Sequence, residues 1–287
     1  MFNLLHIGYQ KTASTFLQKH LFPHLRSRWF DRPMSTLHCR NLIEDDPYRE
    51  RTFATYLSEQ SEIHQKPGII SFESLSGHIW EGSHSARRTA ERLAQVAPDS
   101  IVLVVVRSQP SMLVALYGQY INEGGTGSLA GFLSGDLAGI ELDLSYLDFA
   151  SLVDQYRLLF PKVVVLPYEN LRDSPMPFLS EICDLVGSPF VDPPTTRENP
   201  TASAIGAALL RVNNRALRRS AFNPDPPLPV PGSRLARTQL QRLQFGPSLW
   251  ERHRPEAERF CRRFADSNAQ LQQTCTWRLD EYDYPLG

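Results

Sequence analysis

The sequence predicts an α/β fold of three layers, in which helices cover both faces of a parallel sheet. Two observations lead to this prediction. Four apolar runs lack the alternation of a half-exposed strand, and segments with helical spacing separate these runs. Continuous apolar strands joined by helices are typical of parallel sheets that are buried on both sides. We expect residues 1–287 to form a single domain, because many α/β domains reach this length.

The elements follow one another in the order that such a fold requires. The predicted strands cover residues 3–8, 68–73, 100–107 and 162–166. The predicted helices cover residues 16–22, 85–96, 110–122, 146–160 and 175–186, and another is predicted over about 202–217. Right-handed crossovers bring the carboxyl ends of parallel strands to one edge of the sheet, where ligands of open α/β sheets bind.

Three strand ends carry residues suited to chemistry. A short polar loop that contains Lys11 follows the first strand at Gly8, Glu73 closes the second strand, and Arg107 closes the third. Because the topology places these ends along the same edge, we expect the three side chains to form one site.

The loop of residues 9–15 has the features of an anion-binding turn. It joins a strand to the start of a helix, where free backbone N–H groups and the helix dipole attract negative charge. Lys11 adds a full positive charge, and Thr12, Ser14 and Thr15 add hydroxyl donors. This combination suits a ligand that bears phosphate or sulfate. An ordinary capped helix start is the alternative interpretation.

Composition narrows the class of protein. The formal net charge of −1 gives no reason to expect nucleic-acid binding. The four cysteines lack metal-ligand spacing, so we expect reduced thiols at Cys39, Cys183, Cys261 and Cys275. No signal peptide fits the start of the chain, and no apolar run reaches the length of a membrane span. These features predict a cytoplasmic protein.

Residues 11–17, Lys-Thr-Ala-Ser-Thr-Phe-Leu, resemble the 5′-phosphosulfate loop of sulfotransferases that use 3′-phosphoadenosine 5′-phosphosulfate (PAPS). The resemblance implies a P-loop-like fold and a donor-binding set of Lys11, Thr12, Ala13, Ser14 and Thr15. A Walker A loop differs, since its lysine follows a second glycine. Gln10 stands where the family usually has proline, and Ala13 where it has glycine. Because alanine resists positive φ, we expect Ala13 to adopt a backbone conformation that an L-residue tolerates.

The segment that begins at Arg107 resembles the second signature of the same family. There, a strand ends in arginine and a serine follows eight residues later on the next helix, and both hold the 3′-phosphate of PAPS. The serine position is occupied by Ala115 in this chain. Ser111 lies one helical turn earlier on the same face, so it is the expected substitute. In isolation, Arg107 could equally pair with a surface carboxylate.

Glu73 is the expected general base, which takes the proton of the acceptor hydroxyl during sulfuryl transfer. The surrounding residues 71–77, Ser-Phe-Glu-Ser-Leu-Ser-Gly, look like a stretch of glycan and bacterial sulfotransferases in which a glutamate is the base. His78 is the second choice, because a histidine has this role in the cytosolic small-molecule branch. Capping of the next turn, or pairing with Lys11, is the structural alternative for Glu73.

Later segments carry weaker resemblance. Residues 167–175 are similar to a segment after the fourth strand of many sulfotransferases, where we expect Glu169 to anchor a loop. A proline-rich connector is predicted at 223–232, followed by a helical C-terminal part, and Arg234 is a candidate for an additional 3′-phosphate contact. The acceptor-binding residues are expected within 24–66 and 123–145.

The resemblance implies a PAPS-dependent sulfotransferase that acts by in-line transfer on a hydroxyl and requires no metal. A saccharide, a lipid-linked glycan or a small metabolite would fit as acceptor. The first alternative is a P-loop kinase that uses Glu73 to hold Mg²⁺, although the strongest strand ends in Arg107 where an aspartate would be expected. The second alternative is a nucleotide-binding module without activity, suggested only by Ala13 and Ala115. The oligomeric state is not predicted.

Overall fold

A parallel sheet of five strands forms the centre of the molecule. The computed structural model describes residues 4–25, 28–29, 55, 68–77, 79, 85–135, 137, 142–190, 203–217, 233–243 and 245–286. The strands are β1 Leu4–His6, β2 Arg28–Trp29, β3 Gly68–Ser71, β4 Ile101–Val106 and β5 Lys162–Pro167. Their spatial order is β2-β3-β1-β4-β5, and every neighbouring pair is parallel. The predicted parallel sheet is confirmed.

β1 lies between β3 and β4, so it is paired along both of its edges and the strand order reverses beside it. Leu4 pairs with Ile69 on one side and with Ile101 on the other. Backbone pairing continues beyond the strand, since Ile7 N–H donates to Leu103 O at 3.0 Å and Tyr9 N–H donates to Val105 O at 3.3 Å. The crevice where strand order reverses is the usual ligand site of such sheets.

Helices connect and follow the strands in the described residues. A helical stretch begins as Ser14–Phe16, continues as a π-helix over Leu17–Leu21 and ends in a 3₁₀ turn, Phe22–His24. Further helices are Ser85–Val96, Gln109–Asn122, Leu129–Ser134, Phe149–Arg157, Tyr168–Asp173, Pro175–Leu185, Ala204–Leu217, Ser233–Arg242, Leu249–Cys261 and Ala265–Gln272. Short 3₁₀ turns occupy Glu73–Ser76, Leu144–Leu147, Arg262–Phe264 and Leu279–Glu281.

The hydrophobic core is divided by the sheet, as the predicted three layers require. Alternate residues of a strand point to opposite faces, and Val102 and Val104 pack with the helices Gln109–Asn122 and Phe149–Arg157 in one cluster. Leu103 and Val105 pack in the other cluster with the helix Pro175–Leu185. Both faces of the central strands are therefore buried, which explains their uninterrupted apolar sequences.

Several predicted boundaries change. The strand predicted at 68–73 ends at Ser71, and a 3₁₀ turn begins at Glu73. The helix predicted at 146–160 is divided at Asp148, whose carboxylate accepts the N–H of Ser151 and caps the second part. No helix is predicted between the fourth strand and residue 175, where the structure has the helix Tyr168–Asp173. The proline-rich connector at 223–232 lies outside the described residues.

None of the helices within the described ranges is long and apolar enough to cross a membrane. Cys183, Cys261 and Cys275 are free thiols, as the sequence predicts, while Cys39 lies outside the described residues.

Candidate active site

The loop after β1 contains two non-glycine residues in the left-handed region. Lys11 has φ of 65° and Ala13 has φ of 64°. The expectation that Ala13 would avoid positive φ is therefore wrong. The conformation has a clear use, since the Ala13 carbonyl accepts the Leu17 N–H at 3.1 Å and so starts the helix. Alternation of left-handed and other residues turns successive backbone N–H groups toward one concave side, where anions bind.

One hydrogen bond within the loop and one to Tyr146 fix its conformation. The Thr12 hydroxyl donates to the Tyr9 carbonyl at 2.5 Å, so its proton is used inside the loop. The Gln10 N–H donates to the Tyr146 hydroxyl at 3.3 Å. Thr12 belongs to the predicted donor-binding set, and in this structure its hydroxyl shapes the turn; its place in that set stays a prediction.

Ser14 is a loop residue whose hydroxyl remains for a ligand. Its side chain is buried, with 2% of its surface exposed, and its hydroxyl oxygen has no hydrogen-bond partner among the residues that the structure describes. A buried hydroxyl without a partner is costly. Because Ser14 is the first residue of the helix, a phosphate or sulfate at this helix start would satisfy the hydroxyl. This atom fits the donor group that the sequence predicts.

Arg107 connects β4 with the loop. Its Nη1 donates to the Lys11 carbonyl at 3.1 Å and its Nε donates to the Ser111 hydroxyl at 2.9 Å. The guanidinium also lies 5.0 Å above the ring of Tyr168. Ser111 in turn donates to the Ser108 carbonyl at 3.2 Å, so its hydroxyl orients Arg107. Burial lowers the pKa of Arg107, yet a guanidinium stays charged at any physiological pH.

Two carboxylates act on Lys11. Although the Lys11 side chain is exposed, the surrounding protein lowers its pKa by desolvation, while Glu73 and, more weakly, Glu123 raise it. Glu73 begins the 3₁₀ turn after β3, and the Ser76 hydroxyl donates to its carbonyl at 2.8 Å. Lys11 and Glu73 thus lie within electrostatic reach of each other, as predicted from the strand ends. Glu123, at the end of the helix Gln109–Asn122, was not predicted.

A buried polar group lies beneath the loop. His6 Nδ1 is 2.6 Å from the Ser71 hydroxyl, which also accepts from Gln18 Nε2 at 3.0 Å. Burial lowers the pKa of His6 to about 3, so the ring is neutral. A Cβ on Gly8 would lie 2.6 Å from His6 Nε2, which makes a larger residue there incompatible with this arrangement. The sequence signal was present, since His6 and Ser71 interrupt otherwise apolar strands.

A second buried carboxylate holds the turn after β4. Glu169 Oε1 accepts the Ser108 N–H at 3.0 Å, and Oε2 accepts the hydroxyl of Tyr284 at 3.2 Å. Burial raises the pKa of Glu169, and the Ser108 N–H opposes this rise. The expected anchoring role of Glu169 agrees with these contacts, although the residue lies on a helix. The contact with Tyr284 could not be anticipated from sequence.

A polar cavity of about 300 Å³ adjoins this edge. Its lining includes Ser76, Asp143, Ser145 and Tyr146. Tyr146 links the cavity to the loop, because its hydroxyl lies 3.3 Å from both Gln10 N and the Ser76 hydroxyl. Hydroxyl-bearing molecules fit such a lining.

Two predicted site residues are not placed. His78 lies outside the described residues. Arg234 belongs to the first turn of the helix Ser233–Arg242, and its side chain is outside the described part. Of the predicted acceptor segments, most of 24–66 is also outside it.

The strand, polar loop and helix start, set in this parallel sheet, define a P-loop-like α/β fold. Among solved structures, the crystal structure of a sulfotransferase from Alicyclobacillus acidocaldarius matches with a TM-score of 0.58 over 98% of both chains, at 13% identity. The chain therefore has a sulfotransferase fold. No protein-family model matches the chain, and no curated protein matches its sequence.

Proposed function

We propose that this protein is a PAPS-dependent sulfotransferase that transfers a sulfuryl group to a hydroxyl. One observation carries the proposal: Arg107 Nη1 donates to the Lys11 carbonyl at 3.1 Å, so the residues proposed for the two phosphates of PAPS are in direct contact. The fold likeness to a sulfotransferase supports the same function. The glycan-type and bacterial branch of the family is part of the proposal, through the stretch around Glu73.

The donor would lie across the carboxyl ends of β1 and β4. Lys11, the Ser14 hydroxyl and the N–H groups at the helix start would hold its 5′-phosphosulfate. The cation of Arg107 would hold its 3′-phosphate, with Ser111 fixing the guanidinium. Arg234 is retained as a further 3′-phosphate contact. In this arrangement, one positive charge is available for each of the two anionic groups of PAPS.

The reaction requires one proton transfer and one displacement. The acceptor oxygen forms a bond to sulfur while the bond from sulfur to the 5′-phosphate oxygen breaks. Glu73 takes the proton of the acceptor hydroxyl, and His78 remains the second choice. Lys11 stabilises the negative charge that develops on the departing phosphate of 3′,5′-adenosine bisphosphate. No metal is needed in this scheme.

The cavity beside Tyr146 is the proposed acceptor site. Serine and tyrosine hydroxyls and the Asp143 carboxylate offer partners for a molecule rich in hydroxyl groups. A saccharide, a lipid-linked glycan or a small metabolite meets this description. We propose that the reaction takes place in the cytoplasm and that residues 1–287 form a single domain.

A thermal unfolding experiment tests the donor. We expect 3′,5′-adenosine bisphosphate to raise the melting temperature, because a ligand at 100 times its Kd stabilises by ~2.7 kcal/mol. The comparison arm is ATP with Mg²⁺, which a P-loop kinase would bind. If ATP with Mg²⁺ raised the melting temperature and 3′,5′-adenosine bisphosphate did not, the proposal would be rejected in favour of a kinase.

A transfer assay with labelled PAPS and an acceptor library tests the assigned roles. We expect Lys11→Ala to lose ~10²–10³-fold in kcat, as for removal of an electrostatic donor. Glu73→Gln should lose ~10²–10⁴-fold, the usual contribution of a general base. Glu123→Gln is the matched control, since Glu123 is the other carboxylate that acts on Lys11. A larger loss in Glu123→Gln than in Glu73→Gln would transfer the base role to Glu123.

A further inference from the structure

The Tyr146 hydroxyl stands between the loop after β1 and the turn that carries Glu73. On one side it accepts the N–H of Gln10, the residue before Lys11, at 3.3 Å. On the other side it lies 3.3 Å from the Ser76 hydroxyl, and Ser76 donates to the Glu73 carbonyl at 2.8 Å. Three hydrogen bonds in series therefore connect the loop to the turn.

The direction of these bonds follows from the number of protons. A hydroxyl group has a single proton to donate, and Ser76 uses its proton on the Glu73 carbonyl. In the contact between the two hydroxyls, Tyr146 is therefore the donor and Ser76 the acceptor. Because Tyr146 also accepts from Gln10, all three bonds run the same way, and bonds in such a series strengthen one another.

The series is shielded from water. Tyr146, Ser76 and Gln10 are 3%, 2% and 6% exposed. Burial raises the pKa of the Tyr146 phenol, the bonds with Ser76 and Gln10 oppose this rise, and the charge of Glu73 adds to it. The phenol therefore keeps its proton at physiological pH, and its bond to Ser76 persists.

Aromatic packing holds the ring of Tyr146 in place. Its centroid lies 4.8 Å from that of Tyr9, the first residue of the loop. Tyr9 in turn lies 4.7 Å from the ring of Phe149. A phenylalanine at position 146 would keep this packing and lose only the hydroxyl.

The bond to the loop depends on the residue at position 10. Gln10 stands where sulfotransferases usually have proline, and proline has no N–H to donate. The departure from the family pattern thus supplies the donor that Tyr146 accepts.

We propose that Tyr146 is a positioning residue, which fixes the loop that carries Lys11 relative to the turn that carries Glu73. The inference rests on the proposed function, in which Lys11 stabilises the departing phosphate and Glu73 takes the acceptor proton. A misplacement of about 1 Å in a catalytic arrangement can cost about 10²-fold in rate. A hydroxyl that does not touch the reacting atoms can therefore control the rate.

Transfer kinetics of Tyr146→Phe test the positioning role. We expect kcat to fall about 10–100-fold, while the KM values for PAPS and for the acceptor change by less than about threefold. Tyr156→Phe is the matched control, because this second buried tyrosine donates to the Leu75 carbonyl of the same turn at 2.8 Å. Its kcat should change by less than about threefold, since the series from the loop to the turn stays complete.

Two kinetic results would overturn the proposal. Equal losses of kcat in Tyr146→Phe and Tyr156→Phe would mean that any weakening of the turn has this effect. A rise in the KM of the acceptor with kcat unchanged would make Tyr146 a binding residue instead.

Hydrogen exchange of backbone amides tests the link without the reaction. In Tyr146→Phe, the Gln10 N–H should exchange about fivefold faster, because it loses its partner. The Gly77 N–H, which donates to the Ser74 carbonyl within the turn at 3.1 Å, should also exchange faster. Tyr156→Phe should accelerate Gly77 and leave Gln10 unchanged.

The two experiments separate this inference from the proposed function. Unchanged exchange of Gln10 in Tyr146→Phe would overturn the inference even if the wild type transfers sulfate from PAPS. A wild type that shows the expected exchange pattern and transfers nothing from PAPS would reject the proposed function, and with it the kinetic role of Tyr146, while the link between loop and turn would stand.

Discussion

Ala13 has a backbone conformation that costs an L-residue about 1–2 kcal/mol and that glycine adopts freely. We predict that Ala13→Gly stabilises the protein by roughly 0.5–1 kcal/mol, the relief of strain being partly offset by the greater freedom of glycine in the unfolded chain. Denaturant unfolding measures the change.

Ala115→Gly is the control for this prediction. Ala115 lies inside the helix Gln109–Asn122, where the same substitution should destabilise by about 1 kcal/mol. If both variants lose stability, residue 13 does not hold the left-handed conformation in solution.

His6 makes stability depend on pH. Its folded pKa of about 3 lies below its ordinary value of 6.5, so between these values the unfolded chain takes up a proton that the folded chain does not. The stability due to neutral His6 is complete above about pH 6.5 and is lost as the pH falls toward 3, with a slope approaching about 1.4 kcal/mol per pH unit.

We predict that His6→Asn, which keeps a polar atom near Ser71, flattens this slope even if it lowers stability at every pH. Urea unfolding at several pH values between 4 and 8 checks the difference between the two proteins. Parallel curves for the variant and the wild type would contradict the assignment to His6.

Arg107 acts between two elements, because it joins β4 to the loop after β1. If its only role were to bind a 3′-phosphate, Arg107→Ala would leave the affinity for adenosine 5′-phosphosulfate, which has none, unchanged. We predict weaker binding of both donors, about 5–10-fold for adenosine 5′-phosphosulfate and about 100-fold for PAPS. Both donors lose affinity because Arg107 no longer bonds to the Lys11 carbonyl. PAPS loses more affinity because its 3′-phosphate also loses a charged contact.

Calorimetric titration of both donors provides the measurement for this prediction. Arg254→Ala is the control, since Arg254 is an exposed arginine that pairs with Glu258 within the helix Leu249–Cys261. It should leave both affinities unchanged. An unaltered affinity of Arg107→Ala for adenosine 5′-phosphosulfate would limit Arg107 to the 3′-phosphate.

The sequence revealed some elements more clearly than others. β4 was predictable because a strand buried on both faces is an unbroken apolar run. β2 consists of Arg28–Trp29, which is too short for any periodicity. The helix Leu249–Cys261 contains Pro255, a residue that usually ends a helix. Its capping box at Ser248 and Glu251 was the available signal for its start.

The same distinction holds for the candidate site. Lys11, Glu73 and Arg107 could be brought together from sequence because parallel strands share one carboxyl edge. Glu123 and Tyr146 could not, since their positions depend on how a helix end and a 3₁₀ turn pack against that edge. The left-handed backbone of Ala13 was also hidden, because alanine alone argues against it.

At the scale of the whole molecule, the C-terminal end supports the sheet edge through Tyr284. Its hydroxyl donates to Glu169, whose other oxygen accepts the Ser108 N–H beside Arg107. We predict that Tyr284→Phe destabilises the protein by about 1–2 kcal/mol, because a buried hydrogen bond to a carboxylate is lost. Tyr282→Phe, at a less buried position, should change stability by less than about 0.5 kcal/mol. Equal effects of the two substitutions on the unfolding midpoint would contradict this role.

The central position of β1 also sets a time order for synthesis. Leu4 pairs with Ile101, about a hundred residues further along the chain. At about 5–20 residues per second on the ribosome, this partner follows about 5–20 seconds later. Until then, β1 lacks its partner on the β4 side, and it also lacks β3 until Ile69 has been synthesised. The loop and Arg107 can meet only after β4 has left the exit tunnel, so the proposed donor site forms only after the nascent chain has passed Arg107.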